Sequence, residues 1–99
     1  MSEITCVIGK KIKFPKERYL HIIFRHPELE AKENDVISTL KTADFVRESV
    51  YDKNVLLYYK IINKDEYLVV VVKILNGDGF ILTAYISNII KKGEVIWKK

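Results

Sequence analysis

The chain has 99 residues, 48% of them hydrophobic and 30% charged, which fits one globular domain and excludes a wholly disordered chain. Its longest apolar run, Tyr67–Val72, falls far short of the ~20 residues a membrane helix needs, and residues 1–20 carry too many charges for a secretory leader. A formal charge of +4 suits an anionic partner as well as a solvated surface, while the lone Cys6 permits neither an internal disulfide nor a Cys-based zinc cage, so the chain reads as cytoplasmic, with no membrane partner.

Residues 3–8 read as a short edge strand or an extended lead-in, broken by Gly9 and the basic stretch Lys10, Lys11 and Lys13. Pro15 suits the first turn of a helix, where its missing N–H has no intrahelical partner to lose. A helix is predicted over 16–25, with Tyr19, Leu20, Ile23 and Phe24 as its core stripe and Arg18, His21 and Arg25 on the other side. Pro27 disfavours helical geometry at His26 and ends it. A second helix is predicted over 33–42, capped by Asn34 or Asp35, with Val36, Ile37 and Leu40 facing inward.

The second half reads as an antiparallel meander of strands 45–51, 55–62, 67–75 and 80–86. The solid run Leu68–Val72 marks a central strand covered on both faces. Asn76-Gly77-Asp78-Gly79 offers the positive φ angles of a tight hairpin. Strict alternation then puts Phe80, Leu82, Ala84 and Ile86 on one face and Ile81, Thr83 and Tyr85 on the other. Residues 94–97 add a final short strand. The fold class is α+β: two N-terminal helices packed on a roughly four-stranded antiparallel meander.

Chemistry concentrates at two places. In His21-Ile22-Ile23-Phe24-Arg25-His26-Pro27-Glu28, His21 and Arg25 are four apart and hence neighbours on a helix. An imidazole exchanges protons near neutrality and a guanidinium grips a phosphate with two bonds, the minimum kit for phosphodiester cleavage. The same pair also suits an exposed polar helix face, and His26 suits a helix C-cap. His21, His26 and Glu28 match no common zinc spacing, so no metal site is expected. In Thr83-Ala84-Tyr85, the hydroxyl and the phenol share a strand face and can bond phosphate or stack on a base. Tyr58 and Lys60 share a face of the second strand and, with Lys73 and Arg18, extend a basic aromatic surface for RNA. Core and sheet packing is the better account of at least one of Tyr58 and Tyr59.

The order H-x-x-x-R-H-P-E, second helix, meander and T-A-Y, over residues 17–97, resembles the barnase–EndoU–colicin–RelE superfamily of small metal-independent ribonucleases, in its phage- and mobile-element-associated branches. The resemblance implies an active surface with His21, Arg25, Thr83 and Tyr85 as catalytic positions and His26 as substitute or helper. RNA would supply its own 2′-hydroxyl as nucleophile. His21 would take its proton, Arg25 would stabilise the phosphorane-like charge, Thr83 would hold a non-bridging oxygen, and His26 or Tyr85 would protonate the leaving 5′ oxygen. No metal or other cofactor is needed, and the product is a 2′,3′-cyclic phosphate. A toxin of this kind needs a restraining partner, and an acidic antitoxin or immunity protein fits the charge. A non-catalytic RNA- or protein-binding module on the same scaffold is the alternative reading, because fold alone does not settle function.

Overall fold

The computed structural model describes residues 3–99. Its elements in chain order are β1 (Glu3–Thr5), β2 (Lys11–Lys13), α1 (Lys16–Arg25), a 3-10 turn (Pro27–Leu29), α2 (Glu33–Thr42), β3 (Phe45–Ser49), β4 (Val55–Asn63), β5 (Glu66–Leu75), β6 (Asp78–Ser87) and β7 (Gly93–Lys98). The α+β class holds, but the sheet is neither four-stranded nor wholly antiparallel. Seven strands lie in the order β1-β2-β6-β5-β4-β3-β7, and β2 runs parallel to β6.

The extra strands are short and individually weak signals. In β1 and β2, Ile4 and Ile12 are each buried between two exposed neighbours, so three residues carry the whole alternation. A tight turn joins them, with Gly9 at φ 85° and the Cys6 amide donating to the Lys10 carbonyl at 2.9 Å. At the other edge, β7 pairs with β3, with an irregularity at Val46/Arg47 where Ile96 is the extra residue. That bulge and the lysines at 98 and 99 blunt the edge against pairing with another chain.

The predicted hairpin forms as expected. Asn76 and Gly77 adopt φ of 54° and 89°, and Leu75 pairs with Asp78 across them. β5 is the middle strand. Leu68, Val70 and Val72 enter the main core beneath the helices, while Val69 and Val71 enter a smaller cluster on the opposite face.

The stripe on α1 is not the predicted one. Tyr19 and Ile22 are buried, whereas Leu20 and Phe24 are 52% and 82% exposed. In ten residues with apolar side chains on several sides, two neighbouring stripes satisfy a 3.6-residue period, and the partner surface chooses between them. That choice is locked by the Tyr19 hydroxyl, which donates to the Leu29 carbonyl at 2.9 Å and accepts from the Lys32 amide at 3.3 Å. The second helix begins at Glu33 after Lys32, so neither Asn34 nor Asp35 is its cap.

β2 reaches only Gly79 and Phe80 of β6. Along the remainder of that edge lies α1, whose Arg18 guanidinium approaches the Leu82 carbonyl at 3.5 Å. Gly79 is fixed by packing. A Cβ there would stand 2.6 Å from the Lys73 carbonyl oxygen and 3.2 Å from Ile12 Cδ1.

The face of the sheet away from the helices is crossed by the segment 88–92, which runs from β6 to β7. These two strands are parallel with three strands between them, so the segment must span about four strand spacings, ~19 Å. It must also descend from the level of Ile61 to that of Val55, ~20 Å along the strands. On a flat sheet the diagonal is ~28 Å, yet six residue steps reach at most ~22 Å. The sheet therefore twists and curls toward the segment, helped by register irregularities at Ile61/Asn63, Val71/Val72 and Val46/Arg47. Residues 88–92 form a taut strap over a concave face.

Candidate functional site

The concave face is built from rows of residues that oppose one another across the strands. One row is Phe45, Tyr59, Val69 and Tyr85, and the next is Arg47, Leu57, Val71 and Thr83. Phe45 and Tyr59 stack at 4.9 Å, and Tyr67 meets Tyr59 edge-on at 5.9 Å. The strap is fastened here, since the Lys91 amide donates to the Tyr59 hydroxyl at 3.0 Å. The Lys91 ammonium lies 5.8 Å from the centre of the Tyr85 ring.

Beneath the strap is a cleft of about 640 Å³. Leu57, Val71 and Thr83 form its floor, Tyr51 and Val55 one flank, and Ile89 with Lys91 part of its roof. Tyr85 also lines it, and burial raises the ionisation of that phenol above the ordinary tyrosine range, with the nearby Tyr59 adding to the effect. Tyr85 therefore stays a hydroxyl donor at neutral pH. Burial likewise raises Tyr59, against the lowering effects of the Lys91 amide and Arg47.

Thr83 and Tyr85 share this face, as alternation predicts, but Ile81 does not. Val71 opposes Thr83 and Val72 opposes Ile81, so Leu82 is an extra residue on β6. The bulge sends Ile81 into the helix-side core with Ala84. Without a second strand to set the register, such a bulge is invisible in the sequence.

The predicted helical residues separate. The His26 ring lies 5.9 Å from the Tyr85 ring, tilted by 41°, because α1 stops at the unpaired edge of β6 and the chain turns there. Its Nδ1 is 3.6 Å from a Glu28 carboxylate oxygen. His21 and Arg25 are exposed, and neither makes a side-chain hydrogen bond or ion pair among the described residues. Thus three of the five proposed catalytic positions, His26, Thr83 and Tyr85, are gathered at one cleft and its rim, while His21 and Arg25 stand on the outer part of the helix.

The predicted RNA-binding residues do not form one surface. Tyr58 is wholly buried in the helix-side core, where its hydroxyl donates to Cys6 Sγ at 3.0 Å. Its neighbour in alternation, Lys60, donates to the Thr42 carbonyl at 2.8 Å, beside a separate cleft of about 360 Å³ under α2. Lys73 is held by Asp52, and Arg18 by the edge of β6. Alternation correctly grouped Tyr58 with Lys60 but could not tell which face the helices cover.

Sequence reasoning missed Arg47, Lys91 and Lys92. Arg47 donates to the Gly93 carbonyl at 2.9 Å and packs 5.8 Å from the centre of the Phe45 ring, while its buried Nε has no partner. No nearby motif distinguishes these cations, since strand pairing sets Arg47 beside Leu57 and only the strap's path over the sheet brings Lys91 and Lys92 to the cleft.

No family model matches the chain, and neither the curated proteins nor the solved structures return a match. No helix among the described residues is long and apolar enough to cross a membrane, and no group of three or more His, Cys, Asp or Glu side chains gathers there.

Proposed function

We propose that the protein is a metal-independent endoribonuclease acting at the rim of the strap cleft. The observation that carries this reading is the contact between His26 and Tyr85, with ring centres 5.9 Å apart at a surface that also holds Thr83. An imidazole, a neutral phenol and a hydroxyl there supply a proton acceptor, a proton donor and an oxygen ligand for one phosphodiester.

In this scheme His26 replaces His21 as general base. It takes the proton of the RNA 2′-hydroxyl as the O2′–P bond forms. Tyr85 gives its proton to the departing 5′ oxygen as the P–O5′ bond breaks, and exchange with solvent restores both groups. Thr83 donates to a non-bridging oxygen, and Lys91, whose ammonium lies against the Tyr85 ring, offsets the added negative charge. The product is a 2′,3′-cyclic phosphate. DNA, lacking the 2′-hydroxyl, is not cut. An acidic antitoxin or immunity protein that covers this cationic rim would restrain the activity.

The test is cleavage of single-stranded RNA in EDTA by wild type, His26→Ala and His21→Ala. His26→Ala is expected to lose about a hundredfold or more in rate, and His21→Ala to stay within about threefold. Full activity in His26→Ala would overturn the assignment.

A second reading is favoured by the exposure of the rim. Tyr51 is 95% exposed and, like Lys91 and Lys92, lines the cleft, an arrangement that would hold a strand of RNA without cutting it. Salt-sensitive RNA binding with no cleavage by the folded wild type would select that reading.

A further inference from the structure

The cleft has a property that RNA cleavage does not require. Its floor and roof are strongly apolar, with Leu57 and Val71 below and Ile89 and Ile90 above. Its polar lining consists of hydroxyls and the two lysines of the strap, Lys91 and Lys92, and no carboxylate lines it. The carboxylate beside Tyr51, that of Asp52, is already engaged by Lys73 and by the Asn54 amide. Neither strap lysine makes an ion pair among the described residues. Beside the floor, paired with Leu57 across β3 and β4, stands Arg47, a third cation without a carboxylate partner and with a buried, unpartnered Nε.

Three uncompensated cations beside an apolar pocket make a local field that favours a negative charge, and the pocket walls favour hydrocarbon. The volume of about 640 Å³ is that of a small-molecule site. We propose that the strap cleft binds a small amphipathic anion, an acyl or aryl body ending in an anionic head. The body lies on Leu57 and Val71 beneath Ile89, and the head is met by Lys91 and Lys92. Thr83 and Tyr85 also line the cleft, so such a ligand and an RNA strand would exclude one another. The binding itself does not depend on whether RNA is cut.

The probe is sodium decanoate, titrated into the full chain without RNA, with decanol as its neutral counterpart. Methyl NMR signals should report one saturable site, with the largest shifts at Leu57, Val71 and Ile89. Decanoate should bind about fivefold more tightly than decanol, as expected for a partly shielded ion pair. The double variant Lys91→Gln/Lys92→Gln, altered only on the exposed strap, should lose that preference and bind decanol as wild type does. Equal affinity for the two probes, retention of the preference in the double variant, shifts centred elsewhere, or the lack of saturable binding would each overturn the proposal. None of these outcomes depends on RNA cleavage, so failure of the ribonuclease reading is separable from failure of this one.

Discussion

The Lys91 amide donates a 3.0 Å hydrogen bond to the Tyr59 hydroxyl, and this bond ties the β6–β7 strap to the middle of the concave face. Replacing Tyr59 with Phe keeps the stacking on Phe45 but removes the acceptor. The expected cost is about 1 kcal/mol of stability, with faster amide exchange concentrated at Lys91 and its strap neighbours. Unchanged exchange along the strap would show that this bond does not fasten it.

The reach of the strap is itself testable. Six residue steps from Ser87 to Gly93 cover a span that only a curled sheet permits. Deleting Ile90 should therefore unpair β7 from β3, seen as loss of amide protection over Gly93–Lys98. Inserting one glycine after Ile90 should cost no more than about 0.5 kcal/mol, because lengthening a loop is thermodynamically mild. Equal tolerance of both changes would refute a taut strap.

The orientation of α1 predicts opposite outcomes for two apolar residues two positions apart, on opposite sides of the helix. Ile22 is 1% exposed and Phe24 82% exposed. Ile22→Ala should destabilise the protein by about 2–5 kcal/mol through a cavity in the main core. Phe24→Ala should change stability by no more than about 0.5 kcal/mol. Denaturant midpoints of the two variants decide the matter, and a large loss in Phe24→Ala would mean the helix is turned the other way.

Alkaline pH should destabilise the fold through Tyr58. Burial, and then its bond to Cys6, push this phenol far above the ordinary tyrosine range. Burial raises Tyr59 and Tyr85 as well. Unfolded tyrosines lose protons near about pH 10, where the folded ones keep them, so the unfolded chain then binds fewer protons and stability falls as pH rises. The contribution is complete below about pH 10 and is lost as pH climbs toward the folded values. Urea midpoints should stay level to about pH 9.5 and decline above it, and Tyr58→Phe should flatten the decline. An identical slope in the variant would remove Tyr58 from the account. Asp52 acts in the other direction. Its bond to Lys73, and then the Asn54 amide, hold its carboxyl below the usual range, so its small contribution disappears on acidification below about pH 4.

Gly79 offers a local check on the parallel pairing that the sequence concealed. A methyl group there meets the Lys73 carbonyl and the side chains of Ile74 and Ile12. Gly79→Ala should cost about 1–3 kcal/mol and loosen β2 from β6, read by amide exchange at Ile12 and Lys13. A neutral substitution would mean that β2 does not press on the sheet.

Both helices, the four long strands, the Asn76-Gly77 hairpin and the final strand could be read from the chain itself, because each rests on local chemistry. Proline stops α1, two positive φ angles close the hairpin, and a run of valines requires cover on both faces. Placing Thr83 and Tyr85 together also needed only alternation. The strand β2 escaped because three residues carry too little periodicity, whereas β1 falls within the stretch 3–8 that reads as a short edge strand or an extended lead-in. The stripe of α1 was misjudged because Leu20 and Phe24 fit the helical period as well as Ile22 does.

What tertiary structure alone decided is which of these local patterns meet. The Leu82 bulge moved Ile81 to the helix side while Thr83 stayed on the open face. The helices covered Tyr58 and left Tyr59 beneath the strap. The end of α1 at the unpaired edge of β6 brought His26, rather than His21, against Tyr85. The strap brought Lys91 and Lys92 over a floor built from three strands. Sequence patterns act over a turn of helix or a pair of strand residues, whereas the cleft is formed by side chains from β3 to the strap. Their meeting depends on sheet order and curl, which many distant contacts set together.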